Sequence, residues 1–182
     1  MIFKFNQLES SGIQHPKKVL LSKSEYSSMM KYAEKHPHTE IIGIFFGTLL
    51  HQENDAILIE ESYNFREGGE TEVDFIEEDY IRAVPLIKKN EKKGLKWLGW
   101  FHSHPFQGGD HLYMSRKDID HHQVAQSQNP YWTAIVLNPY QKDDPNTTKG
   151  AKAFCLKRKL LRRGISRRVE RLDLEIVKND KS

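Results

Sequence analysis

A chain of 182 residues, 37% hydrophobic and 29% charged, is long enough for one domain with a substantial core. No run approaches the ~18 consecutive apolar residues of a membrane helix, and a single cysteine, Cys155, rules out disulfides within the chain. The net charge of +3 is unevenly placed: Lys157 to Arg171 holds eight Lys or Arg against one Glu, so the rest of the chain is acidic.

Residues 1–17 read as an N-terminal extension. Its start, Met1-Ile2-Phe3-Lys4-Phe5-Asn6, is too short and too polar for a signal peptide. A cytoplasmic protein with no membrane partner is therefore expected. Lys18 to Leu21 is a predicted first strand. Ser24 is then expected to cap a helix with Tyr26, Met29, Met30, Tyr32 and Ala33 as its apolar face, ending before Pro37. Ile41 to Leu50 and Ala56 to Asn64 predict a strand hairpin turning around His51 to Asp55. Ile76, Tyr80, Val84 and Ile87 recur at helical spacing and predict a second helix up to Gly94, kinked or split at Pro85.

Trp97 to Phe101 is aromatic and apolar and reads as a buried strand that Pro105, lacking an N–H, must end. A helix is expected from Ser115, with Ile119 and Val124 as its apolar positions. Tyr131 to Leu137 and Ala151 to Leu156 are further predicted strands, separated by a polar loop over Gln141 to Gly150. Leu172, Leu174 and Ile176 alternate with charged residues, the period of a last, half-buried strand. This mix predicts an α/β fold: one domain over residues 18–156, with a curved sheet, mixed or mostly antiparallel, flanked by helices. A basic extension follows over 157–182. Its charge suits either a solvated face or contact with an anionic partner. No aromatic residues are interleaved to stack bases, so nucleic acid is not the expected partner.

The chemistry concentrates in Gly99-Trp100-Phe101-His102-Ser103-His104-Pro105 and in Ser115-Arg116-Lys117-Asp118. Residues two apart on a strand share a face, so His102 and His104 point one way and Ser103 the other. Two imidazoles and a carboxylate at a helix start suit zinc and leave a fourth position open. Each residue also has a plainer explanation. His-x-His occurs on strands by accident, and Ser115 with Asp118 approximates a capping box. Glu40, before an apolar strand, has the position of a solvated gatekeeper. Asp110 and His111 are further conceivable ligands. A nucleophilic serine is not expected, because no Gly-x-Ser-x-Gly elbow is present. Cys155 sits in an alternating apolar segment and reads as core.

Taken in order, Glu40-Ile41-Ile42-Gly43, His102-Ser103-His104-Pro105 and Ser115-x-x-Asp118 resemble the signature of the JAMM (MPN+) metalloprotease family. Gly99 to Pro105 is similar to the corresponding segment of the proteasome-lid deubiquitinase and its archaeal relatives. Val19 to Leu156 follows the family's order of elements, and Trp132 to Pro139 resembles its later core strand. The resemblance implies a single MPN, deaminase-like domain with one zinc per chain on His102, His104 and Asp118. It implies Glu40 as general acid/base and Ser115 as the oxyanion-stabilising residue. The implied activity is a zinc-dependent isopeptidase or peptidase that removes a ubiquitin-like modifier after its C-terminal glycine. The implied partners are that modifier or its conjugates, and proteasome-related or other MPN proteins. Trimming of a sulfur-carrier or defence-system protein, or a non-catalytic MPN scaffold, are the alternatives. One departure is visible: ten residues, Pro105 to Met114, separate His104 from Ser115, against about seven usual in the family. The resemblance also places Phe65 to Asp74 beside the active-site groove, where Glu67, Glu70, Glu72 and Asp74 would steer a basic tail.

Overall fold

A computed structural model describes residues 15–50, 55–143, 148–161 and 164–178. Most of the expected turn around His51 to Asp55, part of the loop Gln141 to Gly150, and most of the 1–17 extension lie outside the described residues. Seven strands and three α-helices follow one another as β1 (Lys18–Ser22), α1 (Lys23–Lys35), β2 (Ile41–Leu50), β3 (Ala56–Glu67), α2 (Glu77–Glu91), β4 (Lys96–Ser103), α3 (Arg116–Gln128), β5 (Thr133–Leu137), β6 (Ala151–Leu161) and β7 (Gly164–Val177). No described helix is long and apolar enough to cross a membrane.

The sheet is mixed, and it closes. Strand order is β1-β3-β2-β4-β5-β6-β7, with β7 returning to pair β1 in parallel, Val19 opposite Leu174. The sequence pattern predicts a curved sheet but not its closure. Closure removes the open edges that a curved sheet would otherwise leave for association. β1–β3 and β4–β5 are also parallel, and the remaining pairs are antiparallel.

Closure divides the apolar residues into two layers. One cluster draws on all seven strands and therefore fills the lumen, with Met29, Met30 and Ala33 of α1 packed into it. A second lies on the outer faces of β2, β4, β5 and β6, under α2 and α3. Ile41 and Phe45 of β2 enter the first cluster, while Ile42, Ile44 and Phe46 enter the second. A strand buried on both faces reads as an unbroken apolar run, which is how β2 appears in the sequence.

β4 departs from strict alternation. Phe45 pairs with Gly99 and Phe46 with Trp97, so Leu98 is an extra residue at a bulge. The bulge sends Leu98 and Phe101 into the lumen and turns Trp100 to the outer face. His102, two residues on, follows Trp100, and their rings stack at 4.7 Å with 14° between planes. The face on which His102 emerges from β4 is thus set by Leu98.

Helix details differ from expectation in three places. The cap of α1 is Ser22, whose Oγ accepts from the Glu25 N–H, and Ser24 lies inside the helix. α2 runs unbroken across Pro85. Proline deprives the carbonyl four residues back, that of Ile81, of its donor, and Ile81 is 63% exposed, so water can serve it. Ile76, Tyr80 and Val84 are exposed, while Ala83, Leu86 and Ile87 meet the core. The predicted spacing marks the helix correctly, but of its four residues only Ile87 faces the core, because chemically similar apolar residues ring the helix. β3 and β7 are both longer than their apolar patterns suggest, because the ladder continues through polar residues.

Gly99 packs between two strands. A Cβ there would lie 1.9 Å from the Thr133 carbonyl oxygen and 2.5 Å from the Phe45 ring. Overpacking of this kind costs about 1–3 kcal/mol. Gly99→Ala should therefore lower stability by about 2 kcal/mol or more, read as the midpoint shift in urea unfolding. An unchanged midpoint would mean that β4 and β5 yield freely at this point.

Candidate metal centre

His102 leaves β4 on the outer face, and His104 follows one residue beyond the strand, where its N–H donates to the Leu137 carbonyl at 2.8 Å. Ser103 points the other way, and its Oγ accepts from the Ile41 N–H at 3.0 Å. The shared face predicted from the spacing is therefore present. Asp118 arrives from the first turn of α3. Its Oδ2 lies 3.3 Å from His102 Nε2 and 3.7 Å from His104 Nε2, and the two Nε2 atoms are 3.1 Å apart.

All three side chains are buried. Zinc bound at 2.0–2.1 Å in tetrahedral geometry spaces its ligand atoms about 3.3 Å apart, and the three observed distances bracket that value. The donor chemistry fits as well. His104 Nδ1 faces the His111 carbonyl at 2.8 Å. A carbonyl can only accept, so the proton sits on Nδ1 and the Nε2 lone pair faces the cluster. Burial, with His102 beside it, holds the His104 imidazole down to about 4, neutral as a metal ligand must be. Burial alone would raise the Asp118 carboxyl. The His102 ring and hydrogen bonds from Ser115 outweigh it and hold Asp118 well below the usual carboxylate range. Among the described residues these three form the one cluster with metal-ligand geometry.

The capping reading of Ser115 and Asp118 and the metal reading hold together. Ser115 Oγ accepts from the Asp118 N–H at 3.2 Å, and the Ser115 N–H donates to Asp118 Oδ2 at 2.7 Å. The box fixes the carboxylate that faces the histidines. Ser115 also lines the adjoining cavity. That cavity, ≈ 250 Å³, is bounded by Glu40, Thr71 to Val73, His104, Phe106, Tyr113, Ser115, Lys117 and Asp118.

Glu40 is only 4% exposed, not a solvated gatekeeper. Its backbone is clamped by Gly68 and Gly69, with Glu40 N–H to Gly69 O at 2.8 Å and Gly68 N–H to Glu40 O at 2.7 Å. Its Oε1 stands 3.8 Å from His104 Nε2. Burial, reinforced by Asp118 and opposed by His102, pushes its carboxyl up to about 7. The acidic segment beside it is partly neutralised: Lys117 pairs with Asp74 at 2.6 Å and Glu72 at 3.0 Å, and Glu67 pairs with His36.

Asp110 and His111 are not in the ligand cluster. Asp110 pairs with Lys152, and His111 contributes only its carbonyl. Cys155 is buried, and burial pushes its thiol up to about 12, which suits core rather than chemistry. Sequence reasoning missed the inner face of α3. Trp100 Nε1 donates to His122 Nδ1 at 3.0 Å, and His122 Nε2 meets Gln126 Oε1 at 2.8 Å. Gln126 brackets Leu156 of β6, accepting from its N–H at 2.7 Å and donating to its carbonyl at 2.9 Å. The only signal was i, i+4 spacing of two polar residues. A larger cavity, ≈ 590 Å³, lies between α2 and α3 around Trp97, His121 and Trp132, and no carboxylate lines it.

Fold and site together define an α/β domain with a metal-type donor set at the end of a barrel strand. A sequence profile described as JAB1/Mov34/MPN/PAD-1 ubiquitin protease matches residues 14–131, and the chain belongs to that family. It is 31% identical over 181 residues to COP9 signalosome complex subunit 5 of Saccharomyces cerevisiae, covering 92% of this chain and 37% of that protein. The same subunit of Kluyveromyces lactis is 29% identical over 134 residues, covering 73% of this chain and 34% of the relative. A protein named NAD(+) hydrolase TcpA from Theionarchaea archaeon is 31% identical over 102 residues, 56% of this chain and 28% of that protein. The chain spans about a third of the length of the curated relatives it matches.

The elevated Glu40 carboxyl has a consequence for stability. A carboxyl raised in the folded state contributes stability that is complete below its ordinary value of 4.5 and is lost as pH rises through about 7. Chelator-treated protein should lose on the order of 3 kcal/mol from this group between pH 4.5 and 8. Glu40→Gln should abolish most of that slope. Urea titrations of both proteins across the range check it, and equal slopes would show that Glu40 is not desolvated.

Proposed function

We propose that this protein is a zinc-dependent isopeptidase or peptidase that cuts after the C-terminal glycine of a ubiquitin-like modifier. The observation that carries the reading is the convergence of His102, His104 and Asp118 at distances of 3.1 to 3.7 Å, with the Glu40 carboxyl 3.8 Å from His104. Family membership supplies the substrate class. The retained ligand set favours an enzyme over a scaffold, since a scaffold has no need of converging buried donors. Cytoplasmic action belongs to the same proposal, as does work within a complex, which the subunit names of the relatives suggest, with other MPN proteins as the expected partners.

Zinc held by the three ligands would supply Lewis acidity, both to activate water near neutral pH and to polarise a carbonyl. The residues of the chain do the rest. Glu40, with a carboxyl poised near 7, takes a proton from the attacking water and delivers it to the leaving amine nitrogen as the C–N bond breaks. Ser115, at the cavity wall, stabilises charge developing on the carbonyl oxygen through its hydroxyl. Phe106 and Tyr113 stand on either side of His104, with ring centroids 6.0 and 5.2 Å away, and wall the cavity where a glycine tail would lie. An extended tail can pair as an added strand along Thr71 to Val73.

The test is metal analysis joined to a cleavage panel of ubiquitin-like fusions, with and without a zinc chelator. Wild type should hold one zinc per chain, and His104→Ala should lose it. Glu40→Gln should keep zinc and lose about 10²–10⁴-fold in rate. Full zinc occupancy in His104→Ala would sink the ligand assignment, and wild-type cleavage by Glu40→Gln would sink the mechanism.

A second expectation concerns capture. Glu70, Glu72 and Asp74 outnumber the cations beside them, Lys117 and Arg66, so the mouth stays net acidic. Glu70→Lys with Glu72→Lys should raise the apparent KM for a basic-tailed substrate and flatten its salt dependence, since exposed charges are screened beyond ~8 Å at physiological ionic strength. Zinc content should not change. An unaltered KM and salt slope would make this segment an ordinary solvated loop.

A further inference from the structure

The loop between His104 and α3 carries three residues more than the family's usual length, and those residues are used. Gly108 and Gly109, at φ 72° and 66°, turn the chain in the left-handed region open to glycine. Asp110 follows directly. Its Oδ1 accepts from the Leu112 N–H at 3.1 Å, an Asx-type turn that spans His111. Both carboxylate oxygens also meet Lys152 Nζ, at 3.0 and 2.8 Å. Leu112 and Met114 then bury themselves in the outer cluster. Within this turn the His111 carbonyl is aimed at His104 Nδ1, 2.8 Å away.

Lys152 is an odd residue for its place. It lies on β6 opposite Val136, which lies opposite His102 on the next strand. Its side chain is only 9% exposed, whereas that of Asp110 is 67% exposed. A buried ammonium is costly unless paired, and among the described residues its ion-pair partner is Asp110. The sheet keeps a buried cation whose partner belongs to the lengthened loop.

We propose that Asp110 and Lys152 are positioning residues for the metal ligand His104. They lock the turn that holds the His111 carbonyl against Nδ1, and so keep the His104 proton on Nδ1 and its Nε2 lone pair facing His102 and Asp118. The inference rests on the metal reading of the site. The His111 carbonyl is the ligand's direct partner, and loss of such a partner commonly costs about 10–100-fold in metal affinity.

The test uses zinc alone, titrated against a chromophoric chelator, with the visible absorption of the cobalt-substituted protein as a second readout. Asp110→Ala combined with Lys152→Met removes the clamp without stranding a buried charge. This double variant should bind zinc at least 10-fold more weakly and shift the cobalt bands, while its metal-free melting temperature stays within a few degrees of wild type. Asp110→Asn, which keeps an acceptor for the Leu112 N–H, should fall between the two and serves if the double variant does not fold. Wild-type zinc affinity in the double variant, or in Asp110→Asn if only that folds, would overturn the inference. So would a loss in Asp110→Ala alone that Lys152→Met restores, since an orphaned ammonium would then be the cause. Failure of the wild-type protein to bind zinc would instead overturn the reading of the site.

Discussion

Asp118 meets the two histidines because α3 is held on the sheet, by apolar packing of Ile119 and Ala125 and by a buried polar attachment. Trp100, His122 and Gln126 form a buried relay that ends on the backbone of Leu156. Every member is satisfied, which is the condition under which a buried polar network adds rigidity instead of cost. Hydrogen bonds fix direction and distance more tightly than apolar contact does. A helix held this way delivers its first turn to one position along the strand, and the Ser115 capping box then fixes the carboxylate itself.

The centre joins groups that would repel or ionise awkwardly if assembled in isolation. Two imidazoles, two carboxyls and a hydroxyl share one largely buried corner beside the cavity. Burial drives Glu40 and His104 toward their neutral forms, while the surrounding donors keep Asp118 ionised. Environment thus separates two carboxyls into distinct roles, one a fixed anion and one able to gain and lose a proton near neutrality.

Much of this was legible in the sequence, for physical reasons that can be named. Ile41 to Leu50 is apolar because both of its faces are covered, and His102 and His104 share a side because a strand has a period of two. The bulge at Leu98 left no trace, since an extra residue looks like any other until its partner strand is known. The relay on α3 was hidden because His122 and Gln126 resemble a solvated face. Spacing marked α2 as a helix but not which of its apolar residues pack, because Ile76, Tyr80 and Val84 are as apolar as those that do. His111 acts through its carbonyl, a group every residue owns, so no residue type could have announced it. Ser22 and Ser24 cap equally well on paper, and only the path of β1 decides between them.

The parallel seam between β1 and β7 also dictates an order of events. Val19 has Ile57 on one side and Leu174 on the other. During synthesis the first neighbour emerges early, and the second only after nearly the whole domain has left the ribosome. Until then the lumen is open along one side, with Leu21, Met29 and Ile59 reachable by water. Contacts between such distant parts of a chain are slow to form, because the loop must close before any bonding rewards it. The nascent protein therefore passes through a long interval with an unsealed apolar interior, and that interval is when it is most exposed to aggregation.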